Sequence, residues 1–119
     1  MRYLLLSMII FSNQVFAKTD LFELKSLYRV IACSITSAAK DEDKFIVYGI
    51  LLAAKEGYSL DDIEDMTTIH VASSYHKGFA KGSLAMMVVA TGMTTEEGTK
   101  HMYQNLGCSD LLNKISNNE

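Results

Sequence analysis

The chain contains no proline, so glycine alone is left to punctuate it. Proline ends a helix through its missing N–H and fixed ring. Without it, a helical segment stops most readily where a residue tolerates the left-handed conformation. Two six-residue units meet that need. Gly57-Tyr58-Ser59-Leu60-Asp61-Asp62 and Gly92-Met93-Thr94-Thr95-Glu96-Glu97 share one order: glycine, apolar, hydroxyl, any residue, acid, acid. The glycine closes one helix and the apolar residue packs back on it. The hydroxyl caps the next helix, a carboxylate three residues on completes a capping box, and both acids suit the positive helix end. Each unit is a helix-to-helix corner, and Gly107-Cys108-Ser109-Asp110 makes a shorter third. The two full corners lie 35 residues apart, yet nothing outside them is shared at that offset, and two units do not stack as a repeat.

The corners divide the chain into helices. Asp20 to Glu23 reads as another capping box, opening a first helix that runs to about Ala39 with Leu21, Leu24, Tyr28, Ile31, Ile35 and Ala38 along one stripe. Lys40 to Asp43 reads as a charged turn. A second helix, about Lys44 to Glu56, is apolar around much of its circumference and is expected to be the most buried. The segment from Ser59 to Thr91 is long for one helix in a small domain. A break is expected near Met66-Thr67-Thr68, where two β-branched residues follow an acidic turn. A fourth helix covers about Thr95 to Leu106 and a fifth Asp110 to Ser116. Strand-like alternation is never sustained. The fold class is therefore all-α, an irregular, orthogonal bundle of about five helices.

Residues 1–17 have a different character: Arg2, an apolar run from Tyr3 to Phe11, then Val15-Phe16-Ala17. This is the layout of a cleavable signal peptide, with small residues at −3 and −1. The run stops at Ser12-Asn13-Gln14, short of the roughly 20 apolar residues of a stable membrane span. An uncleaved anchor is the competing reading. Export predicts a periplasmic or secreted protein and leaves a single helical domain, residues 18–119, of 102 residues. With Arg2 gone, ten basic residues face fourteen acidic ones, a formal charge of −4. That balance argues against nucleic acid, whose phosphates demand clustered Lys and Arg.

In an oxidising compartment the two cysteines, Cys33 and Cys108, read as a disulfide. Their wide separation argues against a redox enzyme, which keeps its thiols close as Cys-x-x-Cys. Cys33 lies away from the Leu24 stripe, so the first helix must be contacted on two sides. His70 and His76 lack the i, i+4 spacing with which a helix grips zinc, and they read as solvated or core residues along with His101. No metal or cofactor is expected. Serines are plentiful, but no acid, base and nucleophile set can be assembled, so no enzyme is expected.

Three surfaces remain as binding candidates. Asp61, Asp62, Glu64 and Asp65 gather at one helix end, where a basic partner would dock, although capping explains them equally. Met86 and Met87, within the apolar run Leu84 to Val89 and near Met93, would suit a promiscuous protein partner if exposed and a core if not. Gly78 and Gly82, extended by Ser74, form a groove of small residues. Another helix of the same chain is the expected occupant, and a second copy in a homodimer is the other. In layout the chain resembles two kinds of small periplasmic protein, acid-stress chaperones and immunity proteins. No motif is specific to either, so no functional residue carries over. The expected function is non-enzymatic binding of a protein, as an inhibitor, immunity-like or stress-protective partner. A lipid or small-molecule carrier with a cavity lined by Tyr48, Phe79, Met86 and Met87 is the alternative.

Overall fold

A left-handed glycine follows three of the helices, where the sequence places its corners: Gly57, Gly92 and Gly107 have φ of 101°, 73° and 65°. The computed structural model describes residues 18–117, and the predicted leader lies outside them. Among the described residues the regular structure is five helices and no strand: α1 Lys25–Thr36, α2 Ala39–Lys55, α3 Ile63–Thr91, α4 Thr95–Asn105 and α5 Cys108–Asn117. No helix among them is long and apolar enough to cross a membrane. The corner at Gly92 forms as read. Its amide bonds to the Val88 carbonyl at 3.0 Å, and Thr94 and Glu97 complete a reciprocal capping box at 3.0 and 3.1 Å.

The bundle is organised around α1, which carries two apolar faces. Leu27 and Ile31 meet Ala53 of α2 and Ile69 and Ala72 of α3, with Leu21 closing that cluster. On the other side Val30 and Cys33 meet Phe45 of α2 and Cys108, Leu111 and Ile115 of α5. Close approach of α2 to α1 uses Gly49, whose missing Cβ would sit 3.4 Å from both Leu27 and Val30. The Cys33 and Cys108 sulfurs are at disulfide distance, with Cα atoms 5.5 Å apart and 75 residues between them. Arg29 reinforces that junction. Its guanidinium donates to the Leu106 carbonyl at the end of α4 at 2.7 Å and to the Gly107 carbonyl, which also accepts from the Leu111 amide of α5, at 3.0 Å.

Four local readings are corrected. The first helix begins at Lys25, because Asp20 makes only a turn with the Phe22 amide at 3.0 Å and Leu21 is turned into the core. The Leu21 carbonyl accepts from His76 Nε2 at 2.7 Å, a partner 55 residues away. Lys40 to Asp43 is the first turn of α2, where Asp41 and Glu42 sit at the positive end of the helix dipole. At the Gly57 corner the cap is Asp62, which accepts from the Glu64 amide at 3.0 Å, while Ser59 accepts only a long bond from Asp61. The break expected at Met66 to Thr68 is absent: α3 runs unbroken for 29 residues, about 43 Å. Thr67 and Thr68 bond back to the carbonyls of Ile63 and Glu64 at 2.8 and 3.1 Å, so their hydroxyls are satisfied inside the helix.

The unbroken α3 has a consequence for α2. A segment folded back on itself would supply another layer, and that layer does not exist among the described residues. Only Phe45, Gly49 and Ala53 of α2 are fully buried, against seven residues of the shorter α1. The expectation that the second helix is the most deeply buried is therefore wrong, and its outer apolar residues face solvent.

Candidate binding surfaces

The acidic helix end divides into structural and free groups. Asp65 is buried and sits 2.5 Å from Lys18 Nζ, while its other oxygen accepts from the Ser59 amide at 2.8 Å. The Lys18 hydrogen bond first, and the Ser59 N–H second, hold its carboxyl below the usual carboxylate range. Lys18 also lies over the Tyr58 ring at 5.2 Å, and the Tyr58 hydroxyl donates to the Thr19 carbonyl at 2.8 Å. Asp65 thus clasps the segment before α1 to the corner after α2. Asp62 is the cap of α3. Only Asp61 and Glu64 remain as exposed acids with no assigned structural role.

The two methionines part company. Met87 packs toward Gly98 of α4, whose missing Cβ would lie 3.5 Å from Met87 Cε and 2.7 Å from Val88 Cγ2. Met86 points the other way and is 75 % exposed. Gly78 and Gly82 are exposed, and a Cβ on either would touch nothing within 4 Å. The expectation that an internal helix fills their groove is wrong among the described residues, because α4 packs on the Leu84, Met87 and Val88 side of α3.

The four residues of the carrier reading do not line one cavity. Tyr48 belongs to a groove beside α5, Phe79 to a hollow with Phe22, Tyr28 and Tyr75, and Met86 to a shallow patch with Ala85 and Val89. Met87 lies under α4. His76 is a core residue donating to Leu21, whereas His70 and His101 are exposed, with Asn105 donating to His101 at 3.0 Å. Among the described residues no three acid, thiol or imidazole groups gather as metal ligands would.

A groove that sequence reasoning missed runs along α2 beside α5 and encloses about 480 Å³. Its floor is Val47, Tyr48, Leu51, Leu52 and Ile115, with Val47 and Leu51 half exposed. Lys44, Lys55 and Lys114 line it along with a single acid, Asp43. The signal was present in the i, i+4 rows Lys44-Tyr48-Leu52 and Val47-Leu51-Lys55, which put lysines at both ends of apolar stripes. It was read as core because burial depends on a covering element, and the described residues supply none there. A second surface, only partly read from the sequence through Met86 and the Gly78 and Gly82 groove, is the outer face of α3, where Val71, Tyr75, Phe79, Met86 and Val89 are all exposed. No family model, curated protein or solved structure matches the chain.

Proposed function

We propose that this is an exported, non-enzymatic binding protein that holds an acidic amphipathic segment of a partner protein in the groove between α2 and α5. The observation that carries the reading is the half-exposed Val47 and Leu51 on a groove of about 480 Å³ lined by three lysines and one acid. Apolar area supplies the attraction, and the lysines select the charge of the partner and its orientation. An acidic segment suits this groove better than the basic one expected at Asp61 to Asp65, since two of those four acids are engaged within the fold. Residues 1–17 and the cysteine pair support export, as leader composition and disulfide chemistry belong to the same compartment.

A carrier reading has one observation in its favour: the groove volume falls within the range of about 300–1,000 Å³ typical of small-molecule sites, and lysines would hold a carboxylate. One experiment separates the two. The mature protein and a Val47→Asp/Leu51→Asp variant are immobilised and exposed to matched extracellular or periplasmic extract, and organic extracts of the native protein are analysed by mass spectrometry. A stoichiometric partner held by the native chain, lost by the variant and weakened by salt is the expected result. A partner retained by the variant removes the groove from the proposal, and an extractable lipid with no protein partner replaces it with the carrier.

A further inference from the structure

The outer face of α3 is independent of the groove and carries a pattern of its own. Val71, Tyr75, Gly78, Gly82, Ala85 and Val89 follow one another at steps of four, three, four, three and four residues. That is the alternating four-and-three spacing of a coiled-coil seam. All six are exposed, Val89 by 84 %, and Phe79 and Met86 flank them on one side. The seam covers 19 residues, a rise of about 27 Å from Val71 to Val89. Large apolar residues left uncovered in so regular a row call for a covering helix, and the two central glycines let its backbone come close.

We propose that the occupant is a second copy of this chain: two α3 helices pair antiparallel and cross at the level of Ala80. The seam is self-complementary about that point. In the reversed partner Gly78 falls opposite Gly82, Tyr75 opposite Ala85, and Val71 opposite Val89, so each bulky residue meets a small one or an equal across the close central crossing. This is the isologous geometry that a two-fold dimer requires. A parallel pair would set Tyr75 against Tyr75 and bring both acidic ends, Asp61, Asp62 and Glu64, side by side. The antiparallel pair keeps those ends apart along the helix and aligns the two macrodipoles favourably. Lys81, beside Gly82, covers the edge of the seam with its methylenes and keeps its ammonium in water.

The area is sufficient. Val71, Tyr75, Phe79, Met86 and Val89, exposed by half to more than four-fifths, offer on the order of 600 Å² per copy, which doubles to the lower end of stable interfaces. The test is sedimentation equilibrium of the mature chain and of Gly78→Gln/Gly82→Gln, at two exposed positions where an added Cβ meets nothing within 4 Å. The native chain is expected to dimerise, and the variant's dissociation constant to rise by roughly 100-fold, the loss of a central contact. Thermal melting of the variant monomer should stay level or rise, because glutamine is the better helix former. For orientation, a mixture of Val71→Cys and Val89→Cys chains should cross-link, whereas Val71→Cys alone should not. A native chain that is monomeric at millimolar concentration, or a dimer that survives the glutamine variant, overturns the proposal. Cross-linking by Val71→Cys alone overturns the antiparallel arrangement.

Discussion

The half of the molecule built from α1, α2 and α5 and the arm built from the outer part of α3 with α4 are made differently. In the first, Val30, Cys33, Phe45, Cys108, Leu111 and Ile115 form a shared core that a disulfide ties together. In the second, from Lys81 onward, α3 has no fully buried residue, and α4 buries only Gly98 against it. The stapled half is stabilised by what it encloses. The arm is the unbroken end of a long helix whose remaining apolar surface faces outward, and it is held by capping and backbone bonding. That exposed apolar area is what the proposed pairing of two α3 helices would cover.

The largest effect should come from cutting the staple. Closing a loop of 75 residues contributes roughly 4 kcal/mol by chain entropy, so Cys33→Ala/Cys108→Ala or reduction should lower the urea midpoint sharply. A midpoint unchanged by reduction would remove the distinction between the halves. Next is Gly98→Leu, which drives a side chain into Val88, 2.7 Å from the missing Cβ. Overpacking of this kind costs about 1–3 kcal/mol. Hydrogen exchange should quicken in α4 and the end of α3 while α1 and α2 stay protected; uniform loss of protection would show one cooperative unit.

Asp65→Asn tests the clasp by pH. The folded carboxyl titrates below its unfolded value, so its contribution is complete above about pH 5 and is lost as pH falls through the folded value. Lys18 is raised by the same hydrogen bond, so its contribution holds below the unfolded lysine value and is lost as pH rises through the folded one. The variant should therefore flatten the stability profile at both extremes and leave its shape near pH 7 unchanged; an unaltered acid limb would break the assignment. Smallest, and opposite in sign, Gly78→Ala should raise the monomer's stability by about 0.5–1 kcal/mol, since the added methyl meets nothing. A loss would reveal a close neighbour on that face.

What the sequence disclosed is what local chemistry decides. The Gly92 to Glu97 corner, the three left-handed glycines, the helical class and the cysteine pair all follow from residues read in place. Long-range partners decided the rest. The start of α1 moved because His76 takes the Leu21 carbonyl, and Asp65 left the acidic surface because Lys18, 47 residues earlier, pairs with it. Val47 and Leu51 look like core in any window of sequence, and no local rule says that α3 will run unbroken and leave them uncovered. The seam on α3 was half visible as Gly78 and Gly82, but its full spacing emerged only once the helix was known to be continuous.

The clasp at Lys18 bears on the proposed export. Proteases cut chain that is extended and unfastened. Lys18 is held by Asp65, and Thr19 by Tyr58 and by Glu56, which accepts from its hydroxyl. In the proposed maturation, a cut made before this clasp forms would meet an unfastened chain, and a later one would meet Lys18 and Thr19 already tied to the fold. Under the proposed export, the Lys18–Asp65 pair would favour removal of the leader before the bundle closes.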